Sequence, residues 1–163
     1  MAETLIAWDT CVIIDAIQRS ESRYGALIPM VNKAVQGDLE IAVSTLSIAE
    51  TLYLKDLASD GATQERQNTL IERWFDEPYV LKRNADFSVC SDAAELARRH
   101  GILKPADAVI VATAIRNGAD ALITYDGESA RGKGLLQLDG ALGNPGLRIS
   151  TPENWSVQRE IEG

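Results

Sequence analysis

The chain has 163 residues, 45% of them apolar, and a formal net charge of −8. Those figures suit one globular domain over residues 1–163 with a sizeable core. The acidic balance excludes a whole-surface field that draws in nucleic acid, but not a local basic groove or a metal-bridged phosphate.

Thr4-Leu-Ile-Ala-Trp8 reads as a buried strand that ends in the polar pair Asp9-Thr10. A short helix follows over Cys11–Ile17, with Asp15 on its outer side. Apolar residues at 27, 28, 31, 34 and 35 predict a second helix ending before Gly37, with Pro29 marking its start. Leu39–Val43 is a second strand, and Ser44-Thr-Leu-Ser opens a helix through Glu50 to about Leu57. After a loop at 58–63, an amphipathic helix over Gln64–Trp74 turns Leu70, Ile71 and Trp74 inward and stops before Pro78.

Tyr79–Lys82 is a third strand, and Asp86–His100 a helix halted by Gly101. The helix that starts at Pro105 is apolar on nearly every side up to Ile115, apart from Thr113 and the lone carboxylate Asp107 in its first turn. Such a helix belongs in the middle of a domain. Pro105 and Gly118 fit its first position and its end. A fourth strand, Ala121–Thr124, leads to Asp126. A glycine-rich segment to Gly146 follows, then a last strand at Leu147–Ser150 broken by Pro152. Strands alternating with helices predict a three-layer α/β/α sandwich around a mostly parallel sheet.

Ligands of such sheets bind at the carboxyl ends of the strands, where the strand order reverses. Asp9, Glu50 and Asp126 follow predicted strands, and Asp107 opens a helix that can start at the same edge. Each has a structural explanation by itself. Asp9 is a helix cap, Glu50 forms a capping box with Ser47, Asp107 answers a helix dipole and Asp126 is a turn aspartate. Together they repel: two like charges 4 Å apart cost about 4 kcal/mol at an effective dielectric near 20. A shared proton relieves one pair; a divalent cation relieves the whole set. Oxygen ligands without His or Cys point to Mg²⁺ or Mn²⁺. With one histidine and two cysteines outside any CxxC, a Cys/His zinc site is nearly excluded.

Four pieces, Leu5–Thr10, Val43–Glu50, Ala106–Ala114 and Leu122–Asp126, resemble the PIN-domain nucleases in order and separation, particularly the VapC-type toxins of toxin–antitoxin pairs. The resemblance implies a PIN-like fold and metal-dependent hydrolysis of RNA phosphodiesters, leaving a 5′-phosphate and a 3′-hydroxyl. It implies that Asp9, Glu50, Asp107 and Asp126 bind Mg²⁺ or Mn²⁺ and carry catalysis, with Asp9 and Asp107 as first ligands and Glu50 or Asp126 as base. Thr10 and Thr124 are the accompanying hydroxyls. It also implies a homodimer and an antitoxin partner. The chain departs from many relatives at Cys11, where they carry a polar residue, and at Gly127–Gly132, where Glu128 can supplement Asp126.

Lys104, Arg131 and Lys133 are the first candidates for RNA phosphates, with Arg116 and Arg148 behind them. Leu52, Tyr53 and Leu54, beside Glu50, fit either an antitoxin groove or the core, and the three tryptophans fit core packing. No apolar run reaches the ~18 residues of a membrane helix, and no basic segment precedes an apolar run at the N-terminus. Cys11 and Cys90 are expected reduced and buried, as in a cytoplasmic protein. Two other readings share these residues: an inactive PIN-like binding or regulatory module, and a magnesium-dependent phosphohydrolase with Asp9 as nucleophile.

Overall fold

The computed structural model of the chain describes residues 4–53, 61–128 and 133–156. Five parallel strands form the sheet: β1 (Thr4–Trp8), β2 (Leu39–Ser44), β3 (Val80–Arg83), β4 (Ala121–Ile123) and β5 (Arg148–Ser150), in the order β3-β2-β1-β4-β5. β1 is central, pairing Ile6 with Ile41 on one side and with Ala121 on the other. The order reverses between β1 and β4, so a crevice is expected at their carboxyl ends.

The helices are α1 (Thr10–Gln18), α2 (Tyr24–Val35), α3 (Thr45–Leu52), α4 (Gly61–Phe75), α5 (Phe87–Arg99) and α6 (Pro105–Arg116). They cover both faces, because successive strand residues point to opposite sides. Ile6, Trp8, Ile41, Val43 and Ile123 pack with residues of α1, α2 and α4. Ala7, Ala42, Leu122 and Ile149 pack with α5 and α6. This is the expected three-layer α/β/α sandwich. Alanines at 7 and 42 leave room for α6, whose Ala108, Ile110, Val111, Ala112, Thr113 and Ala114 are all buried. Trp8 is fully buried and Trp74 stacks on it with ring centres 5.8 Å apart, and Trp155 is buried as well.

Several expectations need correction. Pro29 does not start α2 but lies within it. Pro29 and Gly25, four residues earlier, are both exposed, so the carbonyl that loses its partner can be met by water. α3 is capped at Tyr53, and the predicted extension to Leu57 falls at residues 54–57, outside those described. α4 begins at Gly61, three residues before the predicted start. Leu70 is 52% exposed, because Ile71 and Phe75 form the buried stripe of α4. Cys90 is exposed, since Val89 and Ala93 take the inner face of α5. Pro152 ends β5 by opening a further helical turn over residues 152–156.

Among the described residues after β4, glycine permits a close backbone approach. Gly134 precedes the 3₁₀ helix Leu135–Leu138, and a Cβ there would lie 2.5 Å from Gly127 N and 2.6 Å from Asp126 Oδ1. Gly134→Ala is therefore expected to destabilise the fold by about 1–3 kcal/mol, measured by urea denaturation. Unchanged stability would show that the segment folds without that contact.

Candidate metal centre

Each acid is delivered by the end of an element. Asp9 follows β1 and caps α1, its Oδ1 accepting from the Thr10 amide at 2.7 Å. Its other oxygen, Oδ2, accepts from the Thr124 hydroxyl at 2.6 Å. Thr124 follows β4 and is fully buried, so this bond crosses the reversal point of the sheet. The same Thr124 oxygen accepts from the amide of Asp126 at 2.9 Å. One hydroxyl thus fixes two of the four acids. The Asp126 Oδ2 accepts from the amide of Leu135 at 3.0 Å, satisfying an orphan donor at the start of the 3₁₀ helix.

Glu50 comes from α3, and its Oε2 accepts from the Thr10 hydroxyl at 2.5 Å. The capping box with Ser47 is not present. Ser44 caps α3 by accepting from the Leu46 amide, while Ser47 lies buried inside the helix, 3.1 Å from Thr10 Oγ1. Ser47 therefore belongs to the surroundings of the acids. A hydroxyl at the first turn of a helix looks like a cap in sequence, which concealed this.

Asp107 sits at the third position of α6, after Lys104 and Pro105. It is half-buried, and among the described residues no group hydrogen-bonds its carboxylate. Burial, then the charges of Asp9 and Asp126, and to a lesser degree Glu50, push its pKa up to about 6, against a smaller opposing pull from Lys104. Three of the predicted acids therefore bear electrostatically on the fourth. Cys11 is in the same setting. Its thiol donates to Asp9 Oδ2 at 3.4 Å, and burial and the Asp9 charge push it up to about 12. At neutral pH it is a neutral thiol.

The donor set is four carboxylates with hydroxyls behind them, and the single histidine, His100, lines a different cavity. Hard oxygen donors in mutual repulsion fit Mg²⁺ or Mn²⁺. Among the described residues no three of these side chains have their ligating atoms gathered for an ion. Both oxygens of Asp9, Oε2 of Glu50 and Oδ2 of Asp126 accept from hydroxyl and amide donors, whereas among the described residues neither oxygen of Asp107 does. Carboxylate oxygens have further lone pairs, so these bonds orient the groups without exhausting them.

Of the basic candidates, Lys104 caps α6 beside Asp107, and Lys133 lines a cavity with Asp126. Arg131 lies outside the described residues. Arg116 is paired with Asp92 at 2.5 Å, and Arg148 starts β5 at the opposite edge of the sheet. Neither faces the acids.

A model of the PIN domain matches residues 6–134. The chain belongs to the PIN-domain family. Solved structures agree in fold. The VapBC2 complex of Rickettsia felis, bound to a DNA fragment from its promoter, gives a TM-score of 0.61 at 18% identity, covering 91% of this chain and 98% of that one. VapC20 of Mycobacterium tuberculosis, a toxin that cleaves the sarcin–ricin loop, gives 0.59 at 15% identity, covering 80% and 96%. The FitAcB structure of Neisseria gonorrhoeae gives 0.55 at 18%, covering 90% and 97%. No curated protein sequence matches this PIN domain.

Two outcomes follow for the metal-free protein. Thr124→Val keeps the shape but leaves buried Asp9 Oδ2 with only the weak Cys11 thiol donor and the Asp126 amide without its acceptor, at a cost of about 1–3 kcal/mol in urea denaturation. The pKa of Asp107 is raised on folding from 3.8, so ionising it opposes folding. That penalty is absent below about pH 4, grows towards pH 6 and is complete above it. Asp107→Asn is thus expected to raise the melting temperature at about pH 8 and leave it unchanged near pH 4. A variant less stable than wild type at pH 8 would contradict the charge repulsion inferred for this residue.

Proposed function

We propose that this PIN domain is a Mg²⁺- or Mn²⁺-dependent endoribonuclease, the toxin of a toxin–antitoxin pair. The supporting observation is Asp107, half-buried with no hydrogen-bond partner among the described residues and surrounded by the charges of Asp9, Asp126 and Glu50. A carboxylate is costly to hold there without a cation.

In this reading Asp9, Glu50, Asp107 and Asp126 hold the ion. The bound ion would neutralise phosphate charge and make a water more acidic. Asp9 is held rigid by Thr124 and by the Thr10 amide, so its direction is set before substrate arrives. Thr10 orients Glu50 through Oε2, leaving Oε1 to take the proton of the attacking water. Water adds to phosphorus, the bond to the 3′-oxygen breaks, that oxygen takes a proton from solvent water, and the products are a 5′-phosphate and a 3′-hydroxyl. Lys104 and Lys133 flank the acids as contacts for the RNA backbone.

The sarcin–ricin-loop cleavage by VapC20 supports RNA as substrate, and the VapBC2 complex supports an antitoxin partner. Leu52 and Tyr53, exposed at the end of α3, offer that partner apolar surface. A homodimer, a cytoplasmic location and one domain over 1–163 complete the reading. No helix described is long and apolar enough to cross a membrane. The phosphohydrolase alternative is disfavoured because it needs Asp9 to meet substrate directly, and Asp9 is only 6% exposed. A nucleophile needs a free oxygen facing substrate.

Incubation with structured RNA and Mg²⁺ tests the proposal. Cleavage leaving 5′-phosphate ends is expected, falling on the order of 100-fold in Asp9→Asn and in Asp107→Asn. Activity undiminished in both variants would overturn the site, and no cleavage with either ion would favour the inactive module.

A further inference from the structure

The wall of the site beyond Asp126 carries a cation outside the chemistry assigned so far. Arg23, the residue that opens α2, lines a cavity of about 510 Å³ with Tyr125, Asp126, Gly127, Glu128 and Lys133. Its guanidinium carbon lies over the Tyr125 ring, 4.1 Å from the ring centre. The ring itself is buried and tied through its hydroxyl to Glu153 at 3.3 Å. One guanidinium nitrogen meets Asp15 of α1 at 3.4 Å, and the other meets Glu128 at 3.7 Å.

The two acids are not equivalent. Asp15 is largely buried, with its side chain 15% exposed, whereas Glu128 is 52% exposed. Asp15 and the Tyr125 ring therefore act as the mount, holding the planar fork in one orientation. Glu128 is a loosely held counter-ion at long range, worth little in water and easily displaced. An arginine so mounted keeps one nitrogen on Asp15 and presents the N–H donors of the other to any tetrahedral anion that takes the place of Glu128, with little side-chain entropy left to lose.

We infer that Arg23, with Lys133 on the same cavity, is a backbone-phosphate subsite for the RNA strand one step beyond the scissile bond, and that Glu128 masks it until RNA binds. The inference rests on the nuclease reading above. Asp126 belongs both to the acidic centre and to this cavity. A strand whose scissile phosphate sits among the acids leaves past Asp126, and its next phosphate meets Arg23. The Glu128 carboxylate then has a role other than the supplementary metal ligand suggested by its place in sequence. The contact reads phosphate and not base, so it adds affinity without sequence preference.

The test uses the full chain carrying Asp107→Asn, so that RNA is bound but not cut, and a labelled stem–loop RNA with a randomised loop. Adding Arg23→Ala is expected to weaken binding about 5- to 10-fold and to reduce the slope of log affinity against log salt by about one phosphate contact. Arg23→Lys keeps the charge but loses the fork and the stack, so it recovers only part of the affinity. Glu128→Gln unmasks the subsite and tightens binding. In the cleavage-competent chain, Arg23→Ala raises KM and leaves kcat within twofold, which a general loss of structure would not do. Affinity, slope and KM unchanged in Arg23→Ala would overturn the subsite while leaving the nuclease intact. Weaker binding in Glu128→Gln would overturn the mask. Loss of poly-glutamate binding in Arg23→Ala, with RNA affinity unchanged, assigns the pair to an acidic protein partner and overturns the proposal. Absence of RNA binding by the parent chain together with absence of RNA cleavage by the wild type overturns both this inference and the reading it rests on.

Discussion

A single hydroxyl ties the chemistry of this protein to its fold. Thr124 follows β4, and through Oγ1 it donates to Asp9, after β1, and accepts from the amide of Asp126. The bond spans the place where the strand order turns back, which is where a parallel sheet leaves space at its carboxyl edge. Through it the carboxylate of Asp9, delivered by β1, and the backbone of Asp126, after β4, share one fully buried oxygen.

Repulsion is the second organising fact. Burial on one side and three acids around it make ionised Asp107 costly, and α6 delivers it there because Pro105 fixes the first turn. α6 in turn is held by the most uniformly apolar stretch of the chain, packed on Ala7 and Ala42. Stability spent in the core thus positions a group that destabilises the edge. Such local conflict is common where a protein binds an ion or a substrate.

Much of this was legible in the sequence. β1, β2 and β4 are short apolar runs with a polar residue directly after each; Asp9 and Asp126 follow two of those ends, Glu50 lies in the helix after the third, and Asp107 opens the apolar helix. Position alone, read through the rule for parallel sheets, brings the four together. The hydroxyls were harder. Ser47 looks like a cap three residues before Glu50, and only its burial against Thr10 reveals its place. Arg23 was invisible, because it lies in a polar connection with no periodicity and gains its meaning from Tyr125 and Glu128, about a hundred residues away. Leu70 misled for a simpler reason. Leu70 and Ile71 each fit a helical stripe with Trp74, and packing chose Ile71 with Phe75.

Titration calorimetry of Mn²⁺ into the apo-protein tests the central claim most directly, because it asks whether the acids accept an ion without reference to any RNA. Wild type is expected to bind Mn²⁺ at neutral pH, more weakly as the pH falls below about 6, where Asp107 takes up a proton. Asp107→Asn is expected to bind at least ten-fold more weakly. Equal Mn²⁺ affinity in the two proteins, or no Mn²⁺ uptake by wild type, would contradict a metal centre built on these carboxylates.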